Sequence, residues 1–260
     1  MTVRSLLLIA LISLFFVLLF FCSCDTSEKR SLNIATAANV QFAMDTLAEV
    51  FEKETGIRTN IILGSSGKLT AQIIQGAPYD IFVSANMKYP DEIFKQNKAL
   101  LKPEVYAYGA LVLWTLQETV TPELTYLTDD KIRRIAIANP KTAPYGSATI
   151  DLLINKGLYE NVKHKLVFGE SIAQVNQFIT SRTADIGFTA KSVVISHKMK
   201  NAGYWSELDP NDYSPIEQGV IIIDRGKLNS AHAKDFMSFL LSEKAGKILS
   251  EFGYNVNLDQ

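Results

Sequence analysis

The chain predicts an α/β protein of two lobes, each a mostly parallel sheet flanked by helices, with the chain crossing twice between them. Three observations carry this reading. Short β-rich runs alternate with helical segments from residue 31 onward. The alternation starts afresh near the middle, after one unusually long apolar run. No repeat of about 20 to 50 residues is visible, which argues against a solenoid.

LNIATA (32 to 37) reads as a buried strand, and VQFAMDTLAEVFEKETG (40 to 56) as a helix with Val40, Met44, Leu47 and Phe51 on one face and a stop at Gly56. IRTNIIL (57 to 63) is a second strand, LTAQIIQ (69 to 75) a helix ending at GAP, YDIFVSA (79 to 85) a third strand and DEIFKQNKAL (91 to 100) a helix. YAYGALVLWT (106 to 115) is long and β-rich enough to be one strand crossing between lobes. IRRIAIANP (132 to 140), KLVFGES (165 to 171) and ADIGFTA (184 to 190) are strands, with ATIDLLINKG and IAQVNQFITS as helices between them. QGVIIID (218 to 224) returns to the first lobe, and SAHAKDFMSFLLSEKAGKILSEFG (230 to 253) is a closing helix. The expected lobes are 31–107 with 221–260, and 108–220.

The first 24 residues differ from the rest. From Leu6 the chain reads LLLIALISLFFVLLFFCSC, an apolar run long enough to cross a bilayer. It fits a plain signal peptide, an uncleaved anchor or a lipoprotein signal. FCSC resembles a lipobox with Ser23 before Cys24, and favours lipid attachment at Cys24 over the uncleaved anchor, although phenylalanine at its first position is imperfect. Either way the body is exported and tethered. Cys22 and Cys24 are the only cysteines, so the body has neither a disulfide framework nor a cysteine metal site.

With Arg4 set aside with the leader, 25 basic residues face 27 acidic ones. Such a balance gives no basic field to gather nucleic acid, so any bound anion must be held by local geometry. In an open α/β sheet, ligands bind beyond the carboxyl ends of the strands, where loops enter helices. TAAN (36 to 39), GSSGK (64 to 68) and SANM (84 to 87) are the loops this rule selects in the first half.

GSSGK is not a nucleotide loop. The motif G-x-x-x-x-G-K-[ST] requires a glycine where Ile62 stands and a hydroxyl where Leu69 stands. What remains is a helix start with hydroxyls at Ser65 and Ser66, where unpaired N–H groups and the helix dipole favour an anion. Taken alone, an ordinary capping serine in a tight turn explains it better. Three other junctions share the chemistry: Asn39, whose amide can cap a helix or turn its N–H toward a ligand; PKTAPYGSATI (140 to 150) with the Tyr145 hydroxyl; and GESIAQ (169 to 174) with the backbone N–H groups near Ile172. Enzyme signatures are missing: His164, His197 and His232 are isolated, and no H-E-x-x-H or G-x-S-x-G occurs. Asp80 and Asp185 each start a strand and suit capping or turn roles.

The ordered set TAANVQFAMDTLAEVFEKETG, LGSSGKLTAQIIQGAPYDIFVSAN, AIANPKTAPYG, KLVFGESIAQV, TADIGFTAKS and FMSFLLSEKAGKILSEFGY resembles the molybdate-binding protein family of bacterial ABC importers, over essentially residues 31 to 255. The resemblance implies the two-lobed periplasmic binding protein fold, type II. It implies a cleft that holds molybdate or tungstate through neutral hydrogen-bond donors, with no catalysis and no cofactor. Its implied partners are ABC permease and ATPase subunits, with a monomeric protein held on the outer side of the cytoplasmic membrane. Carried over by motif, Asn39 takes the place of a common serine, Ser66 matches the ligand-binding serine, Tyr145 offers its N–H or hydroxyl, and Ile172 its N–H. One departure stands out: where many members have a ligand-binding tyrosine in G-I-V-Y-x-S-D-A, this chain has Ala190, and the Tyr145 hydroxyl is expected to substitute. Lys68 is a second oddity, a cation in a first helical turn, expected to face solvent or to attract a dianion at long range. A different oxyanion such as sulfate, a small carboxylate, or a lobed α/β enzyme are the competing readings. Arginine in the loops would favour a carboxylate, and there is none.

Overall fold

The computed structural model describes residues 31–226 and 230–256. The leader, with Arg4, Cys22 and the expected lipid site Cys24, lies outside the described residues.

In chain order, β1 (Leu32–Ala37) runs through a 3-10 turn (Ala38–Val40) into α1 (Gln41–Thr55), β2 (Thr59–Gly64), α2 (Ser66–Ile74), β3 (Ile81–Ser84), α3 (Lys88–Lys95) and β4 (Glu104–Gly109). Next come β5 (Leu111–Thr115), β6 (Ile135–Ala138), α4 (Pro144–Asn155), α5 (Tyr159–Val162), β7 (Leu166–Gly169), α6 (Ile172–Thr180), β8 (Ile186–Ala190), α7 (Lys191–Val194) and β9 (Tyr204–Glu207). Then follow β10 (Ile216–Ile222), α8 (Ser230–Leu240) and α9 (Glu243–Glu251).

The strands form two five-stranded sheets, ordered β2-β1-β3-β10-β4 and β7-β6-β8-β5-β9, which make the two lobes. Both are mixed, where the sequence predicts mostly parallel sheets. β1 pairs parallel with β2 and β3, and β6 with β7 and β8, while β10 and β5 pair antiparallel with both their neighbours. The reason is local: β5 and β10 enter their sheets from the crossings between lobes instead of through a helical crossover, and a parallel pairing needs that crossover.

The run from 106 to 115 is not one strand. It breaks at Ala110, with β4 in the first sheet and β5 in the second. Tyr108 and Asn255 exchange backbone bonds at 2.7 and 2.9 Å, tying the C-terminal segment to β4 just before the break. The predicted closing helix also divides, because Ser242 caps α9 by accepting from the Ala245 N–H at 3.3 Å.

The first sheet packs helices on both faces, and the second encloses one continuous core with its own helices. The first is covered on one face by Met44, Leu47 and Phe51 of α1 with Phe236 and Leu249 of the last two helices, and on the other by Leu69 and Ile73 of α2 with Ile93 of α3. Phe51 and Phe236 meet edge to face at 5.0 Å. β5 and β8 are buried along their whole length, which leaves the strand ends as the places where polar groups meet a ligand.

Candidate functional site

A small cavity lies between the carboxyl ends of the two sheets. Its wall brings together all four sequence-predicted residues, Asn39, Ser66, Tyr145 and Ile172, and adds Ser65 and Ser171. Those six include no charged side chain, and neither does the rest of the lining. The four predicted residues and Ser65 are each at most 3% exposed, so the lobes are closed over the cavity.

Most of the wall is formed by helix starts. α2 begins at Ser66, three residues earlier than the sequence suggests, which makes Ser65 the N-cap; its side chain makes no capping bond. The Ser65 Oγ has no hydrogen-bond partner although it is buried. A buried hydroxyl left unpaired costs about 1–3 kcal/mol, so it marks a place where a ligand acceptor belongs. Ser66 Oγ accepts from the Ala85 N–H at 3.0 Å, which fixes the hydroxyl and leaves its proton to donate.

α4 and α6 lack side-chain caps as well. In the first turn of α4, Pro144 carries no N–H, and Gly146 and Ser147 donate to the Ala143 carbonyl at 2.9 and 3.2 Å. That leaves the N–H of Tyr145. An Asx turn in which Asn139 Oδ1 accepts from the Lys141 N–H at 3.0 Å shapes the loop leading in. Gly146 is required here, because a Cβ would stand 2.1 Å from the Ala138 carbonyl oxygen. In α6 the first intrahelical bond starts at Val175, whose N–H reaches the Ser171 carbonyl at 3.1 Å, so the N–H groups of Ile172 and the next two residues form an open turn.

The Asn39 side chain makes no helix-capping bond; its Nδ2 donates to Gln218 Oε1 at 2.7 Å and to Tyr254 Oη at 3.0 Å, and Oδ1 is the atom left without a partner. The Tyr145 hydroxyl lies against Gly109, where a Cβ would stand 2.2 Å from it, and it too has no hydrogen-bond partner. Burial, reinforced by Tyr254, Tyr106 and Tyr213 nearby, pushes its ionisation well above the ordinary tyrosine range, against a smaller opposing pull from the Asn39 side chain beside it.

Lys68 finds a partner that the sequence does not reveal. Its Nζ lies 2.6 Å from Glu170 Oε1, joining the first turn of α2 to the loop before α6 across the cleft. Beside it the Gly67 N–H donates to the Thr142 carbonyl at 2.8 Å, and the Tyr89 hydroxyl to the Lys141 carbonyl at 3.3 Å. Gly67 thus serves the contact between lobes: a Cβ would sit 3.0 Å from the Thr142 Cα and O.

Asp80 and Asp185 lie at the amino ends of β3 and β8, away from the cavity wall. Asp80 accepts from the Asn33 N–H at 2.8 Å and pairs with Arg225 at 2.9 Å; Asp185 accepts from the N–H groups of Arg133 and Arg134 at 2.8 and 2.9 Å. Both are structural ties between strand ends. Burial raises the Asp185 carboxyl, but those two N–H bonds and one from Gln117 outweigh it and hold the group below its ordinary value.

Two mixed sheets closed over a neutral cavity made of helix starts define a solute-binding protein of the two-lobed class. Residues 32–255 match the family model of bacterial extracellular solute-binding proteins, and the chain belongs to that family. It is 35% identical over 234 residues to the molybdate-binding protein ModA of Azotobacter vinelandii, covering 88% of this chain and 92% of the relative. It is 34% identical over 222 residues to ModA of Rhodobacter capsulatus, covering 85% and 86%. The solved structure of the periplasmic molybdate-binding protein of Azotobacter vinelandii superposes with a TM-score of 0.82 at 35% identity, covering 87% of this chain and 99% of that one.

Proposed function

We propose that this chain is the extracytoplasmic substrate-binding component of an ABC importer and captures molybdate or tungstate in the cavity between its lobes. The observation that carries the reading is the neutral lining, with the buried, unpartnered Ser65 Oγ at a helix start. A fully ionised tetrahedral dianion presents acceptors on all sides, and the hydroxyls of Ser65, Ser66 and Ser171 with the N–H groups of Tyr145 and Ile172 offer donors. A hydrogen phosphate brings a hydroxyl that such donors cannot receive. No carboxylate lines the wall to take that proton. Cleft size then separates the longer-bonded molybdate from sulfate.

The two relatives named for molybdate support the same ligand class. In this reading the lobes meet at Ala110 and between β9 and β10, the closed form is what a permease and its ATPase recognise, and a lipid on Cys24 keeps the monomer at the membrane. Calorimetric titration of the soluble body with molybdate, tungstate, sulfate and phosphate tests it. Clear preference for the first two is expected; equal or stronger binding of sulfate would sink it.

A further inference from the structure

A buried polar network behind the cavity does more than fill the hinge. Gln218 on β10 is fully buried, and its Nε2 faces two backbone carbonyls, Ile216 at 3.1 Å and Ala85 at 3.3 Å. The amide cannot be inverted, since that would set an oxygen against two oxygens. Its Oε1 is therefore fixed, and as a pure acceptor it selects the Nδ2 of Asn39, 2.7 Å away. Tyr254 holds the same Nδ2 at 3.0 Å and donates to the Asn39 carbonyl at 3.0 Å; Ser192 on α7 donates to that carbonyl at 2.7 Å. Two cavity walls, the turn at Asn39 and the loop at Ala85, thus hang on one side chain.

We propose that Gln218 is a positioning residue of the oxyanion site: it dictates which end of the Asn39 amide is held in the hinge and locks the 37–40 turn against the Ala85 loop. Its effect on the ligand passes through Asn39 and rests on the oxyanion reading above. Asn39 thereby serves the site through its main chain, and the amide nitrogen is withheld from the ligand. Nothing in the local sequence marks Gln218, which is 179 residues from Asn39 along the chain.

The test uses three proteins: the wild type, Gln218→Leu and Gln218→Glu. Glutamic acid in its neutral form copies the amide, because its carbonyl accepts from Asn39 and its hydroxyl donates to a carbonyl; ionised, it sets an oxygen against Ala85 and Ile216. The titratable groups around the position are tyrosines, Tyr106 of β4, Tyr145 of α4 and Tyr254, and burial raises all three, so they stay neutral over the range used. Molybdate affinity is measured by calorimetry from about pH 8 to about pH 5, a span that brackets an elevated glutamate.

The wild type is expected to be flat. Gln218→Leu should bind roughly tenfold more weakly throughout, as for loss of one buried hydrogen-bonded anchor. Gln218→Glu should be weak at the alkaline end and recover toward wild type as the pH falls. Wild-type affinity in Gln218→Leu, or a pH-independent loss in Gln218→Glu, would overturn the proposal. A second readout needs no ligand: the side-chain amide protons of Asn39 should be protected from solvent exchange in the wild type and lose protection in Gln218→Leu. Equal exchange in the two proteins also overturns it. If the wild type bound no oxyanion while the exchange difference persisted, the functional reading would fail and the orientation of Asn39 would stand.

Discussion

The two lobes repeat one pattern of pairing, two parallel and two antiparallel neighbours in each sheet, yet they furnish the cavity differently. The first lobe presents two adjacent hydroxyls, Ser65 and Ser66, at the start of α2. The second presents mostly main chain: Ala143, Pro144 and Ile172 have no polar side-chain atom, the Tyr145 hydroxyl is turned toward Gly109, and Ser171 adds a hydroxyl. In the proposed complex one side of the ligand therefore meets chiefly side-chain atoms that substitution can remove, and the other chiefly main-chain atoms that only a backbone shift can move.

The largest effect should come from charging the first lobe. Ser65→Asp would set a carboxylate beside a bound dianion, and at about 4 Å the repulsion is roughly 4 kcal/mol per charge pair even with surface-like screening. Molybdate binding should disappear from a calorimetric titration while the melting temperature stays near that of the wild type. Ser65→Ala removes a single donor and should cost roughly 1.5–3 kcal/mol, as for a hydrogen bond to a charged group.

Breaking the second lobe requires its backbone. In Gly146→Ala the new methyl would meet the Ala138 carbonyl at 2.1 Å, and neither group is on a flexible side chain. The start of α4 must move, costing about 1–3 kcal/mol of stability and weakening binding together. Thermal unfolding with and without molybdate checks this; a variant as stable and as tight as the wild type would show that the turn is less constrained than its contacts indicate.

The same contrast governs what the sequence discloses. The strand and helix alternation was legible because buried strands read as apolar runs, and the hydroxyl-bearing loop was legible because its serines are adjacent. β9 was not, since YWSE is largely exposed at the sheet edge and lacks an apolar signature. The break at Ala110 is hidden inside an uninterrupted apolar run. Ser66 is singled out from the adjacent Ser65 by the family motif, whereas the N-cap position of Ser65 shows only once the helix is seen to start at Ser66. Gln218 and Glu170 act on Asn39 and Lys68 only through the folded chain, and no local pattern pairs them.

Contact between the lobes should matter less. Lys68 and Glu170 are both about half exposed, so their pair is worth about 0–1 kcal/mol. Lys68→Glu or Glu170→Lys alone should speed molybdate release roughly two- to fivefold, more at low salt than at high, and the double exchange should restore the slower rate. Stopped-flow release monitored by tryptophan fluorescence would read this. Single variants indistinguishable from wild type at low salt would show that Gly67, Thr142 and Tyr89 carry closure without the ion pair.

The smallest effect on affinity is expected from Tyr145→Phe, and it bears directly on the missing tyrosine at Ala190. If the Tyr145 hydroxyl replaced that donor, its loss should cost tenfold or more, as for a charge-assisted bond of about 1.5–3 kcal/mol. Its place against Gly109 instead predicts a change within about threefold, with stability unchanged or improved because a buried hydroxyl without a partner is removed. A pH series separates the two outcomes further. The folded hydroxyl ionises well above the ordinary tyrosine value of 10.0, so as the pH rises past that value the unfolded chain loses a proton that the folded chain keeps, and stability falls. Phenylalanine has no such proton. Tyr145→Phe should therefore lose stability less steeply than the wild type at alkaline pH while binding molybdate almost as tightly, and a variant with the opposite pair of properties would return the hydroxyl to the ligand.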